Sequence, residues 1–422
     1  MSHRNIKGAV GAALLFVGVA GCSEQVAGTL GCPQLCADQS TALRDTILTG
    51  AVVIDTTFVG FPRLGETRDF VLLNRGDTAD VRIIARYDTL PIRYRVPNAA
   101  TDSTIRRVDT ASFIFRLDTT VIKGSGPVTI DAFDVDTTAA DTMTSALLPL
   151  FRPGRLIGSQ TYLPTELKDT MRLTLNDAAI FAKVRDSLRL RIGLRLRGPT
   201  ATKFRILGST FAPRIRFRVS ADTTVKPDTV FLTSATPTDD PNLQRALAYY
   251  QVVAAGALPP PPIGRLAVGG LSGARSYLRF DIPPIVLDSV QIIRASLLLR
   301  QVTPRTLGSA LRDTIVLFTQ PVLAAPTVTD LFTAATFLGS AAGVDSLRLA
   351  PRDTGSHSIE LVNLVRTWRS VGTANSTRAI VLRSSLEGFT IGELLFVSSE
   401  GPVAQRPRLQ LTYVPRRGFG IP

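Results

Sequence analysis

The sequence predicts an all-β protein with two consecutive antiparallel β-sandwiches, jelly-roll-like, and short capping helices. From about residue 41 onward, apolar and polar residues alternate in short runs, for example over 112–116 and 408–413, as in strands with one buried face. Gly, Pro and thirteen Asp-Thr pairs separate the runs, and these residues favour turns and strand starts. Many short strands joined by turns indicate a sandwich or a barrel.

The N-terminal residues 1–21 have the pattern of a secretory signal. Arg4 and Lys7 precede an apolar segment over 8–20, which is shorter than the ~20 residues a membrane-spanning helix needs. The following residues, Val19 to Cys22, resemble the lipobox of bacterial lipoproteins. That resemblance implies that Cys22 carries diacylglyceryl and acyl groups, and no other cofactor is expected. The alternative is an ordinary secreted protein in which Cys22 is a bystander.

Residues 22–44 form a predicted tether that contains Cys32 and Cys36. Once Cys22 is lipidated these two cysteines remain as an even pair, and export places them in an oxidising compartment. A small local disulfide is the preferred interpretation. A metal site would need two further ligands, and no nearby histidine supplies one.

The chain body repeats itself once, which predicts a duplicated module. Four closing segments of the first half, 170–180, 188–197, 203–210 and 212–219, recur in order as 358–368, 378–383, 393–400 and 406–413. We therefore assign a first sandwich to 45–222, a linker to 223–227, a second sandwich to 228–416 and a tail to 417–422. The alternative is one larger sandwich.

A helical insertion is predicted over 240–256 within the second module. Pro241 suits the first helical position, and Gly256 followed by four prolines marks the end. Tyr249 and Tyr250 make this segment the candidate surface for a ligand or partner. Packing onto the second sandwich is the alternative.

The second module resembles the DNRLRE domain family over about 190 residues. The matching segments are 273–283, 293–299, Trp368, 396–400 and 406–413. The resemblance implies an extracellular jelly-roll sandwich similar to carbohydrate-binding modules. The first module departs from this pattern: it lacks the tryptophan and has Ala85-Arg-Tyr-Asp88 in place of the Arg-Phe-Asp core.

Trp368, the single tryptophan, is predicted to lie in the core. Leu361, Leu364, Val365 and Trp368 have the i, i+3, i+4, i+7 spacing of one face of a short helix that would cap the second sandwich. A sugar-binding platform is the alternative use of this ring.

The chain is strongly basic, with a formal net charge of +14 and lysine at only six positions. Its arginines alternate with apolar residues, as over 188–192 and 214–218. This pattern predicts solvated sheet faces rather than a nucleic-acid site. Such faces would attract anionic envelope polymers or lipids.

The sequence offers little material for catalysis. His357 is the only histidine after the predicted signal, so a Ser-His-Asp or multi-histidine zinc site is not expected. A glycosidase needs only two carboxylates, but nothing marks one pair among the 34 acidic residues. The acidic segment over 131–136 suggests calcium, yet turn formation is the preferred interpretation because no EF-hand spacing is present. No metal site and no catalytic residues are predicted.

The expected function is that of a lipid-anchored cell-envelope surface protein with a structural, adhesive or assembly role and no catalysis. The alternative is a polysaccharide-binding module, and a carboxylate-dependent hydrolase ranks third. Expected partners are the membrane, through the lipid anchor, and an envelope polysaccharide or another surface protein, with no nucleic acid. Ser23 after the lipobox cysteine fits sorting to the outer membrane.

Overall fold

The computed structural model describes most of the chain after residue 42. The described residues are 43–62, 64, 69–76, 78–87, 90–95, 99–121, 125–208, 212–224, 228–231, 249–305, 313–323, 345–370 and 377–415. The predicted signal, Cys22, Cys32, Cys36 and the tail over 417–422 lie outside these residues. Strands make up 51% of the structure and form antiparallel sheets with few short helices, so the predicted all-β sandwich class is confirmed.

The first sandwich pairs a seven-stranded sheet with a four-stranded sheet. The larger sheet has the order β12-β3-β4-β11-β8-β9, with β15 added on β4. Its strands are β3 (Asp69–Asn74), β4 (Asp80–Tyr87), β8 (Val128–Asp134), β9 (Leu156–Tyr162), β11 (Leu190–Arg197), β12 (Thr202–Leu207) and β15 (Tyr249–Ala255). The smaller sheet has the order β10-β7-β13-β14. Its strands are β7 (Arg107–Arg116), β10 (Thr170–Thr174), β13 (Arg214–Ser220) and β14 (Asp228–Phe231). A separate ribbon pairs β5 (Arg93–Arg95) with β6 (Asp102–Thr104).

The second sandwich pairs a six-stranded sheet with a five-stranded sheet. The six-stranded sheet has the order β1-β24-β18-β23-β16, with β21 paired to β18. Its strands are β1 (Arg44–Leu48), β16 (Arg265–Gly269), β18 (Val290–Val302), β21 (Gly355–Glu360), β23 (Glu393–Val397) and β24 (Arg408–Pro415). The other sheet has the order β2-β17-β22-β19-β20. Its strands are β2 (Val52–Phe58), β17 (Arg275–Phe280), β19 (Ile315–Val322), β20 (Ser346–Leu349) and β22 (Ala379–Ser384).

Short helices accompany the sheets, and two of them help to close a core. The described α-helices are α1 (Thr144–Leu147), α2 (Asp177–Arg185), α3 (Pro284–Asp288) and α4 (Val362–Ser370). The Asn176 side chain caps α2 by accepting a 3.0 Å hydrogen bond from the Ala179 amide. Ile180 and Val184 of α2 lie in the core of the first sandwich, and α4 contributes to that of the second.

The two sandwiches exchange strands. β1 pairs with β24 and β2 with β17, so the first two strands of the chain belong to the second sandwich. In return, β14 pairs with β13 and β15 with β4, so the two strands that precede the second sandwich belong to the first. The first sandwich is therefore inserted between β2 and β16 of the second, and each sandwich is completed by strands from the other half of the chain.

The exchange follows the duplicated order of the elements. The series β10-α2-β11-β12-β13 closes the first half, and the series β21-α4-β22-β23-β24 closes the second. Equivalent strands have equivalent partners: β13 lies between β7 and β14, as β24 lies between β18 and β1. Likewise β15 adds to β4 as β2 adds to β17. Each repeat thus donates its first two strands to the sandwich built by the other repeat.

Three sequence-based assignments need correction. The first sandwich does not span 45–222, because β1 and β2 belong to the second sandwich. The sheets also do not divide at the predicted linker 223–227, because β14 and β15 follow it and complete the first sandwich. The predicted helix over 240–256 is a strand in its described part, Tyr249–Ala255. This segment is rich in aromatic and β-branched residues, which favour strands, and the free edge of β4 supplies the hydrogen-bond partners.

The joint between the sandwiches has an apolar centre with polar contacts beside it. Val71, Leu73 and Val81 of the first sandwich pack with Leu271 and Phe389 of the second. Such packing removes apolar surface from water on both sides. The Lys203 Nζ donates to the Phe389 carbonyl oxygen.

The side chain of Gln251 in β15 bridges the same joint. Its Oε1 accepts from the Val71 amide at 3.1 Å, and its Nε2 donates to the Gly388 carbonyl at 3.2 Å. The exchanged strand β15 therefore contributes directly to the contact between the sandwiches.

The strand exchange predicts that the two halves do not fold as separately as the sequence suggests. A fragment over 43–227 carries β1 and β2 without their partners and lacks β14 and β15. A fragment over 64–258 contains every strand of the first sandwich. We expect the second fragment to unfold cooperatively in urea, monitored by circular dichroism, and the first to show a broad transition or none.

The described body of the intact chain is expected to unfold in one calorimetric transition. Two well-separated transitions, together with equally cooperative unfolding of both fragments, would contradict the coupling of the sandwiches through exchanged strands.

Candidate functional site

Trp368 lies inside the second sandwich and is 4% exposed. Its ring packs against Phe280 with ring centroids 5.4 Å apart. Leu361 and Val365 of the same helical face are also buried in that core. The ring is therefore inaccessible to a sugar.

Tyr249 and Tyr250 do not form the exposed partner surface that a helix over 240–256 would present. Successive strand residues point to opposite faces, so Tyr249 packs against the core of the first sandwich and Tyr250 lies on the other side of the sheet. Tyr250 is 1% exposed. Its hydroxyl donates to Asp141 Oδ1 at 2.8 Å, and the Tyr249 hydroxyl donates to the Pro213 carbonyl at 3.2 Å. Both tyrosines are structural.

Asp141 is the centre of a buried ionic cluster on the outer side of the larger sheet. It pairs with Arg86 and, at 2.9 Å, with the Nε of Arg191. Arg191 also donates to the carbonyl oxygens of Thr137 and Ala139, at 3.2 and 2.9 Å. Burial, followed by the charge of Asp141, raises the pKa of Tyr250 well above its ordinary range, so this hydroxyl stays protonated and donates.

This cluster corrects the expectation that the arginines over 188–192 lie on a solvated face. Arg191 is 1% exposed, one of the largest fully buried side chains. The alternation of polar and apolar residues alone does not reveal that Arg191 is buried. The reason for its burial is that the segment after β8 covers the outer face of β11. A buried guanidinium needs a carboxylate and carbonyl acceptors, and that segment supplies both.

The acidic segment over 131–136 contacts basic side chains. Asp131 accepts two hydrogen bonds from Arg197, at 2.5 and 2.8 Å. Lys183 Nζ lies 3.0 Å from Asp134 and 3.6 Å from Asp136. Among the described residues, no group of three or more His, Cys, Asp or Glu side chains is placed to hold a metal ion.

The exposed side of the smaller sheet carries a set of arginines that we name the arginine face. Its members are Arg116 of β7, Arg172 of β10, and Arg214, Arg216 and Arg218 of β13. The apolar residues between the β13 arginines, Ile215 and Phe217, are buried in the core. The alternation over 214–218 therefore does place arginines on the outer side of a sheet, as predicted.

The strand register brings these arginines into adjacent rows. Arg172 and Arg214 both lie opposite Ile114 of β7, one on each side, and Arg216 lies opposite Ser112. Arg116 pairs with Asp169, which lowers the pKa of that carboxyl through their hydrogen bonds. Because exposed pairs of this kind are screened by salt, a polyanion can compete with Asp169 for the guanidinium group of Arg116.

None of the helices in the described part of the chain is long and apolar enough to cross a bilayer.

Comparisons with known proteins identify no family for this chain. No family model matches the chain, and no curated protein matches it. Among solved structures, one described as the structure of infectious bursal disease virus Gx strain aligns at 11% identity, with a TM-score of 0.13. The alignment covers 88% of this chain and 76% of that one. A TM-score this low carries no argument about fold or function.

The buried cluster makes a prediction about stability. Asp141→Ala leaves the guanidinium groups of Arg86 and Arg191 buried without their shared carboxylate. We expect the free energy of unfolding to fall by about 3 kcal/mol or more, measured by urea titration.

Asp186→Ala is the matched control, because Asp186 pairs with Arg185 on the exposed surface. It should leave the free energy of unfolding nearly unchanged. A similar loss in both variants would show that Asp141 is not an energetic centre of the first sandwich.

Proposed function

We propose that this chain is a lipid-anchored protein of the bacterial cell envelope, held through Cys22 at the outer membrane, with a structural or adhesive role and no catalysis. The proposal combines the lipobox-like segment with the sandwich fold. As a further part of the proposal, the second module is a domain of the DNRLRE type. The observation that carries the structural role is the reciprocal exchange of strands between the sandwiches.

The exchange of strands between the sandwiches is suited to a protein that receives force through a membrane tether. The proposed tether ends where β1 begins, at Arg44. β1 pairs with β24, close to the C-terminus, over five residue pairs from Arg44–Tyr413 to Leu48–Leu409. A pull on the anchor is therefore applied first to the second sandwich, through β1 and its partner β24.

The anchoring proposal predicts the effect of Cys22→Ser. The wild-type chain should incorporate radiolabelled palmitate and sediment with outer-membrane fractions. The variant should do neither, because the thiol that would accept the diacylglyceryl group is absent.

The matched control is Cys32→Ser, which leaves the lipobox cysteine intact and should retain the label. Equal label in wild-type and Cys22→Ser protein would refute lipidation at this position. Loss of label with persistent membrane association would separate lipidation from localisation.

The second candidate function is binding of an acidic envelope polysaccharide, and the arginine face favours it. Five arginines project from three adjacent strands, and guanidinium groups bind carboxylates and sulfates through paired hydrogen bonds. A repeating polyanion would contact several of them at once, which multiplies weak individual contacts.

This function predicts salt-sensitive binding of a polyanion such as alginate, a polymer of uronic acids. Replacing Arg172, Arg214 and Arg218 together by Gln should weaken binding at least tenfold at low ionic strength, since each contact contributes about 0.5 kcal/mol or more. Surface plasmon resonance over a salt series provides the measurement.

The control variant replaces the exposed Arg348, Arg352 and Arg294, none of which lies on the arginine face, with the same loss of charge. If both triple variants bind equally weakly, net charge and not this face determines binding.

A further inference from the structure

A small pocket opens on the second sandwich, on the outer side of its six-stranded sheet. It lies where β18 changes partners: β24 pairs with it as far as Leu298, and β23 pairs with it from Gln301. The cavity measures about 100 Å³. A site needs roughly 10–15 Å³ of such space for one water, so this cavity accommodates a compact group of several heavy atoms.

Three arginines line this pocket, one from each of three segments. Arg300 comes from β18, Arg406 from the turn before β24, and Arg408 from β24 itself. The remaining lining residues are Leu298, Leu299, Ser356, Ala404 and Gln405. No carboxylate is among these described lining residues, so all of their charged side chains are arginines.

These arginines lack the carboxylate partners that buried arginines have elsewhere in the chain. In the described part of the chain, none of the three forms an ion pair. Arg406 Nε donates to the Gly401 carbonyl at 2.8 Å, and Arg300 makes a 3.5 Å contact with Ser356 Oγ. Both interactions orient the guanidinium groups without neutralising them.

Arg408 provides the most specific signal. Its Nε is buried and has no hydrogen-bond partner among the described residues. In the described part of the chain, the other arginines that share this feature each form an ion pair, among them Arg191, Arg195, Arg205 and Arg275. Buried polar groups without partners are rare in native structures and require an explanation. An anion in the pocket would supply one.

We propose that this pocket binds a phosphate group, carried as a monoester by a sugar or a lipid headgroup. A phosphate monoester presents three terminal oxygens with a charge between −1.5 and −2 near neutral pH. Three guanidinium groups from separate segments match that charge and geometry, since arginine forms paired hydrogen bonds with phosphate. Leu298 supplies an apolar wall for the carbon skeleton of the ester. This site lies on the other sandwich from the arginine face and does not depend on it.

The test is calorimetric titration of the full chain in detergent at constant ionic strength, with chloride as the balancing anion. The probes are inorganic phosphate, glucose 6-phosphate and dihexanoyl phosphatidic acid, which distinguish a sugar-borne group from a lipid-borne one. We expect saturable binding of phosphate and tighter binding of one of the two esters. Arg408→Gln should weaken it at least tenfold, because a hydrogen bond to a charged group is lost.

Arg300→Gln is the second pocket variant, since Arg300 is exposed and its loss leaves folding intact. It should also weaken binding. The controls Arg348→Gln, on β20, and Arg214→Gln, on the arginine face, make the same charge change elsewhere and should bind like wild type. Absence of saturable binding by all three probes, or equal weakening in all four variants, would overturn the site. Because Arg214→Gln reports on the arginine face separately, failure of this proposal is distinguishable from failure of polysaccharide binding there.

Discussion

Reciprocal pairing of exchanged strands is the constraint on which this protein depends. Each sandwich lacks two strands if only its own half of the chain is considered, and the missing strands come from the other half. Unpaired sheet edges and exposed apolar faces are costly, so neither half is complete until both are assembled. The same pairing brings Gln251 to the joint between the sandwiches, where it links Val71 to Gly388. The completion of both sheets and the contact of Gln251 at the joint are therefore consequences of one arrangement.

Arginine serves three different physical purposes in this chain. Around Asp141 it is buried and compensated, which stabilises one conformation of the segment that follows β8. On the arginine face it is exposed, and its pairs are weak enough to yield to another anion. In the pocket of the second sandwich it is partly enclosed and forms no ion pair with the residues that the structure describes. The basic composition therefore does not describe one property; the surroundings of each guanidinium determine whether it stabilises the fold or is available for a ligand.

The ion pairs also show what many of the acidic residues contact. Asp131, Asp134 and Asp136 contact arginine or lysine. Glu387 lies between Arg275 and Arg383 on the second sandwich. Burial raises the pKa of Glu393, and the charge of Arg305 opposes that shift. A carboxylate held by a guanidinium forms a structural pair, and such pairs account for many of the turn aspartates that the sequence leaves unassigned.

The amino-acid sequence by itself determined the class of the fold, the order of the closing segments in each half, the helical face of Trp368 and the solvated alternation over 214–218. These depend on local periodicity, because each residue's face follows from its neighbours two to four positions away.

Only the tertiary structure decided which strands pair, and thus that β1 and β2 complete the second sandwich while β14 and β15 complete the first. It also decided that Tyr250 and Arg191 are buried and that three arginines meet beside β18. Partner choice and burial depend on which edges and faces remain uncovered after assembly, and residues far apart in the chain determine that outcome.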